Sequence, residues 1–422
     1  MSLVSSHSIR WIVAQIGARE HYAVARSLHS RGHLERLYTD FWCGPALKSL
    51  RYAPQPLKSL AGRQHPSIPS KKVVAFSAST LSHELSGFLG RRFSQHPVGR
   101  TSSDATYSEY IRTGVDFSQR LLGHLKKQNL VSGEHAFFGY NTGCLETLGW
   151  LREQGIFSVV DQIDPGSVEE DLVLMEREKW PGWEAQTGRI PAAYHERMRA
   201  EWELASRVLV NSPWAAQALA QQGVPEEKLL VVPLAFEPTV QEAERLKALN
   251  ESEPLLVLWL GTVNLRKGIA YLVEAARLLE RTSIQFLVAG PLEISESVVA
   301  AAPVNMNFMG RVDRADAAKL YKKADVFVLP TISDGFAITQ LEAMANGLPV
   351  ITTPRCGEVV TSGINGFVVP PGDGAALAEA ILALDEDRMK LQAMSHAAKL
   401  RSADFSLNHY ADLLEEAVPV NS

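Results

Sequence analysis

Short apolar runs recur along the chain, each followed by a polar turn and then by apolar residues at helical spacing. The stretch 326–351 shows the pattern most clearly. Val326–Leu329 is a continuous apolar run, as expected for a strand that is buried on both faces of a parallel sheet. The polar residues 331–337 predict a loop, and the apolar spacing predicts a helix that begins at Ile338 and stops at Gly347. The stretch therefore predicts a strand, a loop, a helix and a second strand.

The same pattern predicts further strands and helices on both sides of a polar, charged segment at 237–253. Strands are expected at 10–16, 37–40, 73–76, 136–140, 157–160, 207–210, 228–233, 255–260, 284–289 and 306–309. Helices are expected at 22–29, 108–128, 145–154, 167–205, 269–280 and 407–418. Alternating strands and helices are typical of doubly wound α/β domains. We therefore predict Rossmann-like domains at 1–236 and 254–402, a hinge at 237–253 and a final helix within 403–422.

Composition narrows the class of protein. Hydrophobic residues make up 46% and charged residues 21% of the 422 residues, as in globular proteins with two or three domains. No apolar run reaches the length that a membrane-spanning helix needs. The three cysteines are scattered along the chain, which predicts a reducing, cytoplasmic location and argues against a disulfide framework or a zinc site.

Charge is distributed unevenly. Residues 46–100 hold nine Lys or Arg and one acid, Glu84, whereas the other 33 basic and 46 acidic residues give −13. A basic segment on an acidic protein predicts an anionic partner, either a charged acceptor or lipid headgroups at the inner face of the membrane. The alternative is a solvated insertion. No recognition motif for nucleic acid accompanies the charge, so a nucleic-acid partner is not expected.

Two loops of the second domain carry side chains suited to a sugar nucleotide. Arg266 and Lys267 follow the strand at 255–260, and an Arg and a Lys at such a turn suit a diphosphate. Asp334 and Glu342 follow the strand at 326–329, and carboxylates can bind sugar hydroxyls. Ligands bind at the carboxyl ends of parallel strands, where helix N-termini attract phosphate. The alternative is an ordinary strand–helix unit with solvated charges.

The stretch around Asp334 resembles the donor-site signature of the family 4 retaining glycosyltransferases, which have the two-domain GT-B fold. The matching residues are Asp334-Gly-Phe-Ala and, eight positions after the acid, Glu342-Ala-Met-Ala-Asn-Gly-Leu-Pro-Val. Asp334 stands where the family usually has Glu. Lys267 matches a second motif, but Thr262 stands where that motif has Arg, so Arg266 is expected to take its role.

The resemblance covers most of the chain, with specific motifs only in 255–372. It implies two domains that face each other across a cleft, with the C-terminal helix crossing back to the first domain. It also implies a donor site made of Gly17, Arg311, Val312, Gly335, Phe336, Ala337, Ile338 and Glu342. On the acceptor or sugar side it implies Arg19 and His21. Relatives often have His-Asp at the corner after the strand at 157–160; here Asp161 or Asp164 either takes that place or caps the next helix.

The expected reaction transfers a sugar from a nucleotide-sugar to a hydroxyl of a glycan, a lipid-linked sugar or a small molecule. Lys267, Arg266 and the helix N-terminus near 337–338 would stabilise the charge that grows on the departing diphosphate. Asp334 would orient sugar hydroxyls and Glu342 would hold the ribose. The resemblance implies retention at the anomeric carbon. The sequence has no convincing metal or cofactor motif, so neither is expected.

Two alternatives stay open at this point. A GT-B epimerase would release a free sugar nucleotide and need no acceptor. A non-catalytic sugar-nucleotide-binding protein would account for the departures at Asp334, at Thr262 and at the missing His. A pyridoxal-dependent phosphorylase and a nicotinamide dehydrogenase are disfavoured, because the chain lacks a signature for either.

Overall fold

The computed structural model describes residues 9–53, 57–77, 103–185, 188–238 and 253–417, and their strands form two parallel sheets. The strands of the first sheet are β1 Arg10–Gln15, β2 Leu34–Thr39, β3 Val73–Ala75, β4 His135–Tyr140, β5 Phe157–Asp161, β6 Arg207–Val210 and β7 Leu229–Val231. Those of the second are β8 Leu256–Leu260, β9 Gln285–Ala289, β10 Met306–Gly310, β11 Val326–Leu329, β12 Val350–Thr352 and β13 Gly366–Val368.

The strand order places a switch point in the middle of each sheet. The first sheet runs β3-β2-β1-β4-β5-β6-β7 and the second runs β10-β9-β8-β11-β12-β13. The winding direction therefore reverses between β1 and β4 and again between β8 and β11. Crevices outside the carboxyl ends of strands at such reversals are where open α/β sheets bind ligands.

The helices of the described residues lie between and beside these strands. In chain order they are α1 Ala23–Ser30, α2 Leu57–Leu60, α3 Ser103–Leu125, α4 Leu145–Glu153, α5 Ser167–Lys179, α6 Ala192–Leu204, α7 Pro213–Gln221, α8 Ile269–Leu278, α9 Glu296–Ala300, α10 Arg314–Lys323, α11 Ile338–Ala345, α12 Gly374–Glu386, α13 Arg388–Ser402 and α14 Leu407–Glu416. Short 3-10 turns occur at Arg19–Tyr22, Pro45–Tyr52, Ser70–Lys72, Glu226–Lys228 and Ala403–Phe405.

The prediction of continuous helix over 167–205 is wrong. The region holds two helices, α5 and α6, and the described residues between them, 180–185 and 188–191, are not helical. The C-cap of α5 is Trp180, and Pro181 directly after it disfavours a helical conformation at that residue. Pro191 precedes α6 as its N-cap residue and cannot donate a helical hydrogen bond. Both prolines were available as stop signals in the sequence.

Each sheet has a hydrophobic core of its own. The core of the second sheet includes Trp259 and Phe327, which are fully buried. The first sheet is covered on both faces, one cluster containing Val13 and the other Ile12, neighbours that alternate across β1. No helix within the described ranges combines the length and apolar content needed to cross a membrane.

The last helix packs against the first sheet, as predicted. Tyr410 and Leu414 of α14 are buried in a core cluster of that sheet. At the helix surface, Arg31 Nη2 pairs with Asp412 Oδ1 at 2.6 Å. The doubly wound sheets and the returning helix confirm the predicted fold class. The exact domain limits and the hinge stay predictions, since most of the predicted hinge lies outside the described residues.

The segment after α5 connects the two sheets. Ser295 N donates to the carbonyl of Trp183 at 2.7 Å, and Leu265 N donates to Glu184 Oε1 at 2.6 Å. Trp183 also packs against the core of the second sheet. A part of the chain that belongs to the first half by sequence order is therefore fixed to the second domain, beside the loop that follows β8.

The predicted basic segment is described only in part, because 54–56 and 78–102 lie outside the described residues. Arg63 pairs with Asp40, and Lys72 Nζ donates to the carbonyl of Leu34. These two cations therefore have partners within the protein. Contact with an anionic membrane stays a prediction.

Candidate functional site

The two loops with the predicted donor residues lie side by side at the switch point of the second sheet. The carbonyl of Arg266, after β8, accepts from Ile332 N at 2.9 Å and from Thr331 Oγ1 at 3.0 Å, both after β11. Gly268 ends the first loop with a φ of 77°, and a Cβ there would overlap the carbonyl of Pro330. Only glycine allows the loops to approach this closely.

The predicted cations and the predicted carboxylate form one charged cluster. Lys267 Nζ pairs with Asp334 Oδ2, and Arg266 Nη1 lies 3.6 Å from Asp334 Oδ1. Burial acts to raise the pKa of Asp334, but the charges of Lys267 and Arg266 outweigh burial and lower that pKa. The carboxylate is therefore ionised at neutral pH. The structure thus brings together the three residues that are predicted to have catalytic roles.

A fourth charged residue joins the cluster from the other domain. Glu169, in the first turn of α5, places Oε1 3.4 Å from Arg266 Nη1. Burial raises the pKa of Glu169 to about 7, even though the charge of Arg266 acts to lower it. The two residues are 97 positions apart. No local pattern could have indicated this pair.

Several amides predicted to face the donor already have partners. The carboxylate of Asp334 accepts a backbone hydrogen bond from Gly335. Ala337 N donates to the carbonyl of Cys356 at 3.3 Å. The ring of Phe336 lies among core residues, 6.2 Å from the ring of Phe405. The loop is thus held rigidly in front of α11, which begins at Ile338 as predicted.

Gly335 is required by a contact between the domains. A Cβ at this position would overlap the carbonyl oxygen of Ile163, which lies in the loop after β5 of the first sheet. The close backbone approach at Gly335 is thus made to the opposite domain. The backbone of the loop after β11 therefore contacts the backbone of the loop after β5.

Glu342 is half-buried on α11, and Tyr321 donates its hydroxyl hydrogen to Glu342 Oε2 at 2.9 Å. The hydroxyl of Tyr321 thus orients the carboxylate that is predicted to hold the ribose. Arg311 and Val312 follow β10, with Arg311 exposed and Val312 packed against the core. Their predicted place beside the nucleotide base, like the role of Glu342, stays a prediction.

The first domain contributes a strained turn after β1. Gly17 N donates to Asp40 Oδ1 at 2.7 Å, so this amide is held by a side chain of the protein. Three successive residues, Glu20, His21 and Tyr22, have φ values of 49°, 49° and 62°. Non-glycine residues rarely adopt this conformation, which costs on the order of 1–3 kcal/mol each and is found preferentially at functional sites.

Two side chains of this turn face other parts of the protein. Arg19 places its guanidinium 5.5 Å from the ring centre of Tyr140 at the end of β4. His21 Nε2 lies 2.9 Å from Arg314 Nη2 on α10 of the second domain. Burial lowers the pKa of His21, and the charge of Arg314 acts in the same direction. His21 is thus a neutral side chain at the boundary between the domains.

The two aspartates after β5 differ in environment. Asp161 is fully buried, and within the described part of the chain neither of its oxygens has a hydrogen-bond partner. Burial raises the pKa of Asp161 well above its usual range, and the nearby Glu20 adds to the effect. Asp164 Oδ1 accepts from Gly166 N and from Gln162 Nε2, both at 2.9 Å. Asp164 therefore stabilises the turn before α5 and does not cap the helix, whose N-cap residue Gly166 has no side-chain cap hydrogen bond.

A cavity of about 1070 Å³ opens at the switch point of the first sheet. It lies beyond the ends of β1 and β4, and Arg19 is among its lining residues. Aromatic side chains on its wall include Phe76, Tyr110, Tyr140 and Tyr194. Cavities of this size accommodate small molecules, and aromatic walls beside a few polar groups are typical of binding sites. In the described ranges, no three His, Cys, Asp or Glu side chains are grouped so as to hold a metal ion.

Comparison with known families bears on the second domain. The family model of the glycosyl transferases group 1 matches residues 254–387. Residues 254–387 are thus similar to the group 1 glycosyltransferases. Lys267, Asp334 and Glu342 all lie within the matched residues. The predicted resemblance to family 4 is therefore confirmed.

Similar proteins match a longer part of the chain than the family model does. The amylovoran biosynthesis glycosyltransferase AmsK of Erwinia amylovora is 25% identical over 207 residues, which cover 46% of this chain and 50% of AmsK. The chain spans about half, or less, of the length of the curated relatives it matches.

Solved structures match over nearly the whole chain. Sucrose-phosphate synthase from Thermosynechococcus elongatus has a TM-score of 0.65 at 20% identity and covers 96% of this chain and 98% of its own. The Anabaena protein HepE, in complex with UDP and glucose, has a TM-score of 0.54 at 15% identity, with 96% and 98% covered. At these identities the likeness shows the fold, and it confirms the GT-B prediction.

Proposed function

We propose that the protein is a glycosyltransferase that moves a sugar from a nucleotide-sugar to an acceptor hydroxyl, with retention at the anomeric carbon and without a metal. The observation that carries the proposal is the cluster of Lys267, Arg266 and Asp334 at the switch point of the second sheet. The cluster lies within the residues that match the group 1 family.

The charges of the cluster suit the departure of a nucleoside diphosphate. Lys267 supplies a compact charge and Arg266 a planar fork, which together can take up negative charge as the bond to the sugar breaks. Positive groups fixed in advance stabilise that charge more in the transition state than in the ground state. A protein of the same fold, HepE, was solved with UDP and glucose. This supports a nucleotide-sugar as donor.

The cavity of the first domain is proposed as the acceptor site. Three of its lining arginines have partners within the protein: Arg63 pairs with Asp40, Arg112 with Glu109 and Arg120 with Asp116. Paired charges and aromatic rings suit hydroxyl groups and the apolar faces of sugar rings. We therefore propose a carbohydrate acceptor, and the presence of this cavity favours transfer over an epimerase that needs no acceptor.

The proposal is tested by thermal-shift and hydrolysis assays of the purified protein with UDP-, GDP-, ADP- and CMP-sugars in the presence of EDTA. One donor should raise the unfolding temperature and be hydrolysed slowly, and both effects should be lost in Lys267→Ala and Glu342→Ala. Lys319→Ala is the matched control, because Lys319 forms an exposed ion pair with Asp316 outside the cluster.

Other results identify the alternatives. A donor that binds but is neither hydrolysed nor transferred to any glycan would indicate a non-catalytic binding protein. Conversion to an isomeric sugar nucleotide would indicate an epimerase. If none of the four classes of donor binds, the proposed donor site is wrong. An acceptor, once found, allows the anomeric configuration of the product to be read by NMR.

A further inference from the structure

The guanidinium of Arg266 is shared among several acceptors from both domains. Its Nη1 atom lies 3.2 Å from the carbonyl oxygen of Ser333 and 3.6 Å from Asp334 Oδ1, both in the loop after β11. The same atom lies 3.4 Å from Glu169 Oε1 and 3.5 Å from Glu169 Oε2. Both oxygens of Glu169 are therefore close to one nitrogen of the predicted phosphate-binding arginine.

The side chain of Glu169 lies beside Arg266 and is largely shielded from water. Its side chain is 16% exposed, so water screens the contact with Arg266 only weakly. It belongs to the first turn of α5, whereas Arg266 belongs to the loop after β8. The contact therefore joins the two domains at the point where the diphosphate of the donor is proposed to bind.

We propose that Glu169 is a positioning residue that competes with the donor diphosphate for Arg266, so that donor binding exchanges a contact between the domains for a contact with phosphate. The inference rests on the proposed function. Neither the sequence motifs nor the family match assigns a role to Glu169, which lies outside the matched residues.

The competition follows from the chemistry of the two anions. A guanidinium binds a carboxylate and a phosphate through the same planar set of N–H groups. A diphosphate that approaches Arg266 also meets the negative charge of Glu169, and like charges at close range repel each other. Removing this charge while keeping the shape of the side chain, as in Glu169→Gln, should therefore strengthen donor binding.

The ionisation of Glu169 provides an independent readout. The groups that act on its charge from the surrounding elements are Arg266 after β8, Asp334 after β11, Asp164 after β5 and Tyr107 of α3. Burial raises the pKa of Glu169 to about 7. Below that pH the carboxyl is neutral and no longer competes, and above it the carboxylate is charged and does. Donor affinity should thus fall as pH rises through about 7.

The experiment measures binding of UDP-glucose, GDP-mannose and ADP-glucose by calorimetry at about pH 5.5 and about pH 8.5, either side of the pKa. The diphosphate diester of these donors keeps the same charge at both pH values. At the higher pH, Glu169→Gln should bind about tenfold more tightly than the unaltered protein, the scale of one charge-assisted contact. At the lower pH the two should bind equally.

Glu176→Gln is the matched control. Glu176 lies on the same helix and also reaches the second domain, where its Oε2 accepts from the hydroxyl of Tyr271 at 2.7 Å. Among the described residues, the ion-pair partners of Arg266 are Glu169 and Asp334 and do not include Glu176, so this variant should bind the donor as the unaltered protein does at both pH values. A general loosening of the contact between the domains would instead make the two variants behave alike.

The outcomes separate this inference from the proposed function. Equal or weaker donor binding by Glu169→Gln at the higher pH overturns the role of Glu169 and leaves the donor site intact. No binding of any of the three donors to the unaltered protein overturns the proposed function and this inference with it. If Glu169→Gln does not fold, the pH dependence of the unaltered protein still tests the inference. A donor affinity that does not fall from the lower to the higher pH overturns the proposed competition.

Discussion

Replacing Lys267 by Met should destabilise the second domain and weaken donor binding. The Lys267 side chain is 16% exposed and that of Asp334 is 14% exposed, so the substitution leaves a nearly buried carboxylate without its closest partner. Breaking such a pair costs about 3–5 kcal/mol. Arg266 stays 3.6 Å from Asp334 and offsets part of the loss, so the lower end of about 3 kcal/mol is expected.

This magnitude can be measured by calorimetric unfolding. For a domain of this size, about 3 kcal/mol corresponds to a fall of about 6–12 °C in Tm. Donor binding should weaken about 10- to 100-fold, since one hydrogen bond to a charged group is lost. The control is Lys319→Met, because the pair of Lys319 with Asp316 is exposed and should contribute less than about 1 kcal/mol.

The double variant Lys267→Met with Asp334→Asn separates stability from function. When Asp334 is replaced by Asn, the loss of the Lys267 ammonium no longer leaves a buried carboxylate without its partner. Most of the lost stability should therefore return. Donor binding and turnover should not return, because the phosphate contact is still missing. An unchanged Tm in the single variant, or no recovery in the double variant, would refute the electrostatic account of the cluster.

Three further changes test other parts of the structure. Gly335→Ala should lower turnover at least about tenfold while each domain stays folded, because its Cβ would overlap the Ile163 carbonyl; steady-state kinetics measures this. Glu201 is fully buried and its pKa is raised from 4.5 to about 7, so its folded form prefers the proton. The contribution of Glu201 to stability should be fully present below pH 4.5 and should be lost, by about 3 kcal/mol, as pH rises through about 7; Glu201→Gln should lack this fall in urea titrations. The segment 46–100 should bind anionic vesicles in sedimentation assays, and added salt should weaken this binding.

Each of these predictions has a result that contradicts it. Full turnover in Gly335→Ala would show that the contact with Ile163 does not matter for catalysis. A pH dependence that is the same in Glu201→Gln would assign the loss of stability to other acids with a raised pKa, such as Glu20. Binding to neutral and anionic vesicles alike, or insensitivity to salt, would argue against an electrostatic membrane contact.

The elements of the donor site could be predicted because their signals are local. Val326–Leu329 is apolar at every position and is bounded by Pro330, so the pattern predicts the strand with the limits that the structure has. The helix from Ile338 shows an apolar face and a stop at Asn346-Gly347, and the structure has it at Ile338–Ala345. The charged cluster could also be expected, because the loops that follow β8 and β11 meet at a switch point of the predicted topology.

The contacts between the domains could not be predicted from local patterns. Glu169 lies in a helix that is charged on most sides, so nothing distinguishes it from its neighbours until Arg266 is placed against it. The strained turn at Glu20, His21 and Tyr22 contains no glycine at the positions with positive φ, and propensity alone would not place these residues there. Contacts between distant parts of the chain determine both the pairing of Glu169 and the conformation of this turn.

The place of α14 has a consequence for how the chain folds during synthesis. Tyr410 and Leu414 of α14 fill part of the core of the first sheet, although all the strands of that sheet are translated before residue 232. The first domain therefore cannot complete its core when it leaves the ribosome, whereas the elements of the second sheet follow one another without interruption. Domains often fold in the order of translation, but here the second can finish before the first. A chain that stops before α14 would leave uncovered the face of α1 that packs against it, and would become a target for proteases and chaperones.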